Sequence, residues 1–167
     1  SKSSKDKIEM LHAMGAKVYV CPANVSAEDS RSYYQVAKTL HNEIKDSVYI
    51  NQYFNNLNIE AHYKTTGPEI WEQTDGSVTH FVASMGTTGT IMGVSLFLKS
   101  QNPDIQIIGL QPTDGSQIPG IRRWPPEYLP DIYQHERVDR ILDISQSESE
   151  QMMKRLAREE GIFAGVS

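Results

Sequence analysis

The chain has 167 residues and a formal net charge of −5 at pH 7, with 38% hydrophobic and 22% charged residues. This balance is typical of a soluble globular protein and argues against a disordered tail. A nucleic-acid binder would carry a basic stripe, which this acidic chain lacks, so we expect no nucleic-acid partner.

The single cysteine, Cys21, excludes an intramolecular disulfide and a metal site built from thiolates, and we expect no metal. Its neighbours Val18 and Val20 favour a buried thiol at a strand end over a nucleophile. No run reaches the ~18 apolar residues of a membrane span, and no signal peptide is evident. We therefore expect a cytoplasmic protein without a membrane partner. Because the first residue is Ser1, we also expect a partial sequence.

The N-terminal segments alternate between helical and strand patterns. Apolar residues spaced like a helix face predict a helix over residues 5–14, with Gly15 as its C-cap. A strand over 16–21 follows. A second amphipathic helix is predicted over 33–44, and a second short strand over 48–50.

The middle of the chain continues this alternation. The asparagine-rich stretch 51–58 predicts a loop, and the helical pattern over 61–73 is interrupted at Gly67-Pro68. Pro68 suits the first position of a new helix, so two helical segments are expected there. An apolar strand is predicted over 78–83.

The C-terminal part carries two further strands, over 105–110 and 138–144. Between them lies a long proline-rich segment, 111–131, and long irregular segments are often functional. A helix over 145–160 opens with a Ser-x-x-Glu capping box, and residues 161–167 read as a strand running into a loop. This alternation predicts an α/β fold with a largely parallel sheet.

A glycine- and threonine-rich turn joins the strand over 78–83 to a helix that bears Ile91, Val94 and Leu98. The first N–H groups of a helix lack internal partners, and the helix dipole adds positive charge there, so such a turn can bind an anion. Glycines permit close approach of the backbone, and threonine hydroxyls add donors. The turn consists of Gly86, Thr87, Thr88, Gly89 and Thr90.

The two common nucleotide signatures do not fit this turn. A P-loop needs a lysine where Ile91 stands, and the dinucleotide fingerprint needs its second glycine where Thr88 stands. A compact phosphate monoester is therefore the better ligand. On local sequence alone, a turn without a ligand is an equal alternative.

Four segments, in this order, resemble the cysteine synthases, most closely the B-type enzymes: Gly67–Trp71, Gly86–Thr90, Ile118–Trp124 and Glu160–Ser167. The resemblance covers nearly the whole chain. It implies an α/β, fold type II pyridoxal-phosphate enzyme, here an incomplete two-domain fragment. Residues 1–53 would belong to the smaller, mobile domain and residues 54–167 to the larger one.

The resemblance also implies roles for individual residues. Gly86–Thr90 would bind the phosphate of pyridoxal phosphate, and Ser167 would hydrogen-bond the pyridine nitrogen. Gln52 would bind the substrate carboxylate, with a loop glutamine satisfied by backbone as the alternative. Arg122 and Arg123 would favour an anionic second substrate or leaving group. The alternative for this pair is a solvated cluster with Glu127 or Asp131.

The activity implied is cysteine biosynthesis, in which an activated serine, O-acetylserine or O-phosphoserine, reacts with sulfide or thiosulfate to give cysteine or S-sulfocysteine. The resemblance implies a homodimer. It also implies that the family's Schiff-base lysine lies upstream of Ser1, so no catalytic residue is assigned here, and Lys64 is expected to be a helix-surface residue. Open alternatives are cystathionine synthesis, serine or threonine dehydration, or a noncatalytic truncated chain.

Overall fold

The computed structural model describes residues 5–22 and 25–167. Contacts divide the chain into two compact units, Ser1–Ile50 and Asn51–Ser167. The division falls slightly before the boundary expected after residue 53, and the assignment of the units to the family's two domains remains a prediction. None of the described helices is long and apolar enough to cross a membrane.

Two helices form the regular structure described in the first unit: α1 spans Lys5–Ala13 and α2 spans Tyr33–Glu43. Gly15 follows α1 with φ +84°, a conformation that favours glycine at a helix end. Ser32 caps α2, because its hydroxyl accepts a hydrogen bond from the backbone N–H of Gln35 (3.3 Å). Both predicted helices are confirmed.

The two strands predicted for this unit, over 16–21 and 48–50, are wrong, since residues 5–22 and 25–50 contain no strand. Local composition favours extended backbone, but a strand also needs a hydrogen-bonded neighbour, and neither segment has one within these residues. Cys21 consequently does not end a strand. It is half-buried, and its Sγ lies 3.9 Å from the carbonyl oxygen of Tyr19.

The second unit is an α/β arrangement. Its helices and strands are α3 (Leu57–Lys64), α4 (Thr66–Gln73), β1 (His80–Ser84), α5 (Gly89–Gln101), β2 (Gln106–Pro112), β3 (Arg140–Ile144) and α6 (Gln146–Glu159). The three strands form a parallel sheet in the order β1-β2-β3. The predicted α/β class with a parallel sheet is therefore confirmed. Short 3-10 helices, Pro126–Tyr128 and His135–Arg137, interrupt the long segment between β2 and β3.

The break between α3 and α4 lies at Thr65, whose φ of −123° and ψ of −72° leave the helical region. Two helical segments were predicted, and that is confirmed, but the break precedes Gly67-Pro68. Pro68 is the third residue of α4 rather than the first. It is tolerated there because the N–H groups of the first helical turn have no intrahelical acceptor.

Helix α5 lies at the centre of the second unit. The fully buried side chains belong to α5, to β2 and to the residue before β2: Ile91, Met92, Val94, Ser95, Leu98, Ile105 and Ile107. Each large apolar member contributes roughly 1.5–3 kcal/mol by burial. Gly93 lets α3 approach, since a Cβ there would lie 2.4 Å from the carbonyl oxygen of Ile59. The start of α5 is thereby held against α3.

Helix α6 begins with the predicted capping box. The Ser145 hydroxyl accepts a hydrogen bond from the backbone N–H of Glu148, and the Glu148 carboxylate accepts one from the backbone N–H of Ser145. The strand predicted within 161–167 is wrong, because these residues have no regular structure. They follow α6 instead, and the Ser149 hydroxyl donates to the carbonyl of Val166.

Candidate functional site

The Gly86–Thr90 loop lies where β1 ends and α5 begins. Ligands of parallel α/β sheets bind at this carboxyl edge of the strands, and the first N–H groups of α5 are available there for an anion. Met85, the residue before the loop, is buried and donates its backbone N–H to Leu110 of β2 (2.9 Å). The loop is therefore tied to the sheet on one side and to the long helix α5 on the other.

Thr88 combines backbone strain with a buried polar group. Its φ is +70°, which is costly for a β-branched residue, and the residue is 4% exposed. Its Oγ1 is the one buried side-chain N or O atom without a hydrogen-bond partner among the described residues. Buried polar atoms in folded proteins normally have partners, so a hydroxyl held in this way is a candidate ligand contact.

Two glycines let other segments approach the loop closely, one through backbone and one through a side chain. A Cβ at Gly86 would lie 2.7 Å from the carbonyl oxygen of Gly120, and a Cβ at Gly89 would lie 2.1 Å from Oδ1 of Asn58. A larger residue at position 86 would overlap with backbone, whereas one at position 89 would displace the Asn58 carboxamide. Both glycines therefore permit close packing around the loop.

The segment around Arg122 and Trp124 is hydrogen-bonded to the Gly86–Thr90 loop and to the residue before it. The backbone N–H of Arg122 donates to the carbonyl of Met85 (3.0 Å), and Nε1 of Trp124 donates to the carbonyl of Gly86 (2.8 Å). These bonds bring the long segment after β2 back to the end of β1. The expectation that this segment belongs to the site is consistent with its position.

The two arginines differ in their surroundings. The guanidinium of Arg122 lies over two aromatic rings, 5.2 Å from the ring centre of Trp124 and 6.0 Å from that of Tyr53. Arg123 instead forms ion pairs with Asp143 and Asp114, and its Nε donates to the carbonyl of Pro112 (3.0 Å).

Neither ion pair of Arg123 involves Asp131, and the side chain of Glu127, the other partner considered from the sequence, lies outside the described residues. Hydrogen bonds from the Gln111 amide and from Arg123 hold the pKa of Asp143 below its ordinary value. Arg123 is thus paired with Asp143 of β3, whereas the backbone of Arg122 is hydrogen-bonded to Met85, next to the Gly86–Thr90 loop.

Gln52 is exposed, and its backbone carbonyl accepts a hydrogen bond from Nδ2 of Asn58 (2.9 Å). The same Nδ2 lies 3.1 Å from Oγ1 of Thr87. Asn58 therefore connects the segment expected to bind the substrate carboxylate to the segment expected to bind the phosphate.

Ser167 lies beside Gly120, where a Cβ added to the glycine would lie 3.7 Å from both Cβ and Oγ of the serine. Because Gly120 in turn abuts Gly86, three of the four segments that carry the resemblance, Gly86–Thr90, Ile118–Trp124 and Glu160–Ser167, meet before the start of α5. The predicted role of Ser167 toward a pyridine nitrogen stays a prediction.

His62 bridges two threonine hydroxyls: Nε2 lies 3.1 Å from Oγ1 of Thr90, and Nδ1 lies 2.9 Å from Oγ1 of Thr66. Lys64 is exposed on α3 and forms an i,i+4 ion pair with Glu60, as expected for a helix-surface lysine. The loop hydroxyls thus have three different environments, since Thr87 contacts Asn58, Thr88 is buried, and Thr90 contacts His62.

Neither Asn58 nor the ring of Tyr53 was predicted to belong to the site. Both belong to an asparagine-rich stretch that was predicted as a loop, although Asn58 is the second residue of α3. The polar composition was a signal, but it could not tell which asparagine faces the site. The Gly86–Thr90 loop, the segment of Arg122 and the segment of Gln52 thus lie close together, as their predicted roles require.

A family model described as "Pyridoxal-phosphate dependent enzyme" matches residues 1–167. The chain is 55% identical over 165 residues to cysteine synthase B of Pseudomonas aeruginosa, covering 99% of this chain and 54% of that protein. It is 48% identical to cysteine synthase B of Escherichia coli, covering 98% of this chain and 53% of that protein.

The crystal structure of a cysteine synthase from Entamoeba histolytica superposes with a TM-score of 0.83 at 29% identity, covering 99% of this chain and 50% of that one. The chain thus spans about half the length of the curated relatives it matches. The resemblance to the cysteine synthases and the fold type II architecture are confirmed, and the chain belongs to the pyridoxal-phosphate dependent enzyme family.

Proposed function

We propose that the protein makes cysteine by pyridoxal-phosphate dependent β-replacement on an activated serine such as O-acetylserine or O-phosphoserine. The observation that carries the proposal is the loop at the start of α5, with its buried, unpaired Thr88 hydroxyl and close-packed glycines. The similarity to cysteine synthase B supports the choice of reaction.

The residues present fit pyridoxal phosphate. Backbone N–H groups at the start of α5, together with the Thr87 and Thr88 hydroxyls, would hold its phosphate, and Ser167 would hydrogen-bond the ring nitrogen. When bound, this cofactor supplies an electron sink for chemistry at the α- and β-carbons of an amino acid. A neutral serine hydroxyl suits elimination and replacement, which do not need a fully protonated ring.

Two residues would act on the substrates. The side-chain amide of Gln52 can donate to the substrate carboxylate, because an amide NH₂ is a donor. Arg122 can bind an anionic leaving group or sulfur donor such as thiosulfate, and its aromatic neighbours Tyr53 and Trp124 keep its guanidinium near the loop. Arg123 is the weaker candidate because Asp143 and Asp114 already pair with it. Removal of the α-proton is assigned to a lysine outside these 167 residues.

Three further expectations from the sequence remain proposals: a cytoplasmic location, a homodimer, and the division into a smaller domain over 1–53 and a larger one over 54–167. They are supported by the resemblance to the cysteine synthases. Small-molecule amino-acid and sulfur substrates are the partners that this family relationship favours.

The test is turnover by the full-length protein with pyridoxal phosphate. We expect cysteine from O-acetylserine and sulfide, with O-phosphoserine and thiosulfate assayed in parallel arms. Preferential use of homocysteine, or release of ammonia from serine or threonine without a sulfur nucleophile, would instead support cystathionine synthesis or dehydration. Absence of turnover in every arm would contradict the proposed activity.

A further inference from the structure

Asn58 lies at the second position of α3, and its side-chain carboxamide packs against the first turn of α5. A Cβ on Gly89 would lie 2.1 Å from Oδ1, 2.3 Å from Cγ and 2.5 Å from Nδ2 of this carboxamide. A side chain at position 89 would displace the carboxamide from this position. The carboxamide is therefore confined beside the loop rather than turning freely in solvent.

The orientation of the carboxamide follows from its neighbours. The Gln52 backbone carbonyl can only accept, so the Asn58 atom 2.9 Å from it must be the donor Nδ2. The same nitrogen lies 3.1 Å from Oγ1 of Thr87. An amide NH₂ has two hydrogens and no acceptor capacity, so one hydrogen goes to each oxygen.

This arrangement determines how the Thr87 hydroxyl is used. Because its oxygen accepts from Asn58, its own hydrogen must point to another acceptor. The hydroxyl of Thr90 is not constrained in this way, since its partner His62 can either donate or accept according to its tautomer. The Asn58 side chain thus leaves the Thr87 hydroxyl hydrogen available for donation to an acceptor other than Asn58.

We infer that Asn58 is a positioning residue for the cofactor phosphate: by donating to Thr87 and to the Gln52 carbonyl, it directs the Thr87 hydroxyl hydrogen toward the phosphate. This inference rests on the proposed function. Asn58 touches neither the phosphate nor the reacting atoms and acts only through Thr87. Its effect must therefore disappear when the Thr87 hydroxyl is removed.

The experiment measures binding of two probes to the full-length apoprotein: pyridoxamine phosphate, which has no aldehyde, and pyridoxamine, which lacks the phosphate. The ratio of their affinities is the phosphate preference. Thr87→Val removes the hydroxyl at nearly constant shape, and we expect it to lower this preference about tenfold or more. Asn58→Ala should lower it by a comparable factor. The double variant should lie within about twofold of Thr87→Val alone.

Two more variants keep the test decisive. Asn58→Asp is nearly isosteric, but it accepts where asparagine donates and adds negative charge, so its loss of phosphate preference should exceed that of Asn58→Ala. Asn56→Ala is the matched control, because Asn56 is exposed beside the start of the same helix and makes no side-chain capping bond there. Circular dichroism melts check that each variant is folded.

The outcomes separate this inference from the proposed function. A wild-type protein without phosphate preference would overturn both. A wild-type preference that Asn58→Ala and Asn58→Asp leave unchanged would overturn the role of Asn58 alone. The role of Asn58 would also be overturned if the double variant lost phosphate preference by the product of the two single-variant factors. Asn58 would then act independently of Thr87, as a purely structural residue does.

Discussion

At the scale of single residues, Thr88 is where strain and the proposed function coincide. A β-branched residue at φ +70° is disfavoured, and its hydroxyl is buried without a partner among the residues described. Strain of this kind persists when surrounding contacts enforce it, and it clusters at ligand sites. We therefore expect the backbone conformation of Thr88 to lower the stability of the fold while it holds the hydroxyl in position to contact the phosphate.

Thr88→Gly should therefore raise stability and weaken the site. Glycine adopts this φ without steric cost, so we expect the free energy of unfolding to rise by about 1 kcal/mol. Loss of the hydroxyl should lower phosphate affinity about tenfold. Urea denaturation of the full-length protein and its titration with pyridoxamine phosphate measure the two effects.

The matched control is Asp75→Gly, at a second non-glycine residue with positive φ (+49°) that follows α4. It should stabilise the protein to a smaller extent, since aspartate tolerates this conformation better, and phosphate affinity should not change. A Thr88→Gly variant with unchanged affinity would remove Thr88 from the site.

At the scale of elements, the contact between α3 and α5 holds the loop in place. A Cβ at Gly93 would lie 2.4 Å from the carbonyl oxygen of Ile59 and 2.6 Å from Cβ of His62. Since α3 carries Asn58 and His62, which contact loop threonines, the separation of these helices determines the geometry of the site.

Gly93→Ala should force the two helices apart. The roughly 1 kcal/mol by which alanine favours a helix does not offset overlap with a backbone oxygen, so a net loss of about 1–3 kcal/mol is expected. Phosphate affinity should fall as well. Gly165→Ala, where the added methyl meets no atom within 4 Å, should change stability by less than about 0.5 kcal/mol. Equal effects of the two variants in thermal melts would contradict this account of α3 and α5.

A second element-scale prediction concerns Asp139, which precedes β3. Its carboxylate accepts from Nζ of Lys99 at the end of α5 (2.9 Å) and from the backbone N–H of Ile107 in β2 (2.7 Å). These hydrogen bonds, the one from Lys99 first, lower the pKa of Asp139 below its ordinary value. A lowered folded-state pKa means that the stabilisation is present above the unfolded pKa and is lost as the pH falls through the folded pKa.

Asp139→Asn should consequently cost about 1 kcal/mol near pH 7, and the difference from wild type should shrink below about pH 4. Urea denaturation at several pH values measures this. The control, Asp104→Asn, changes an exposed carboxylate in the turn before β2 and should change stability near pH 7 by less than about 0.5 kcal/mol. A cost that stays constant down to the lowest pH would show that charge is not the cause.

The elements that could be predicted from sequence are those stabilised by nearby residues. Helices α1, α2, α5 and α6 have amphipathic spacing or a buried face, and the Ser145 capping box lies within four consecutive residues. The segments over 16–21 and 48–50 had strand composition, but pairing depends on distant residues that local patterns do not specify.

The part of the site that could be predicted is likewise the part formed by residues close together in sequence. The phosphate loop follows from a strand, a glycine-threonine turn and a helix in succession. Asn58 could not be assigned, because its importance depends on Gly89, Thr87 and Gln52, which meet only in the fold. The different surroundings of Arg122 and Arg123 likewise depend on Asp143 of β3, twenty positions away in sequence.

At the scale of the whole molecule, both units expose large apolar side chains. Phe163 is 95% exposed in the second unit, and Val48 is 85% exposed in the first. Exposed apolar surface favours association. We therefore expect the isolated chain to be marginally stable or to aggregate. Light scattering after size-exclusion chromatography, combined with thermal melts, tests this, and a monomer with a cooperative transition would contradict it.

The central claim is that the loop at the start of α5 binds the phosphate of pyridoxal phosphate. A crystal structure of the full-length protein with the cofactor tests it most directly. We expect the phosphate to be bound by backbone N–H groups of residues 86–90 and by the Thr87 and Thr88 hydroxyls, with Ser167 at the ring nitrogen. A cofactor whose phosphate is held elsewhere, with no contact to this loop, would contradict the assignment.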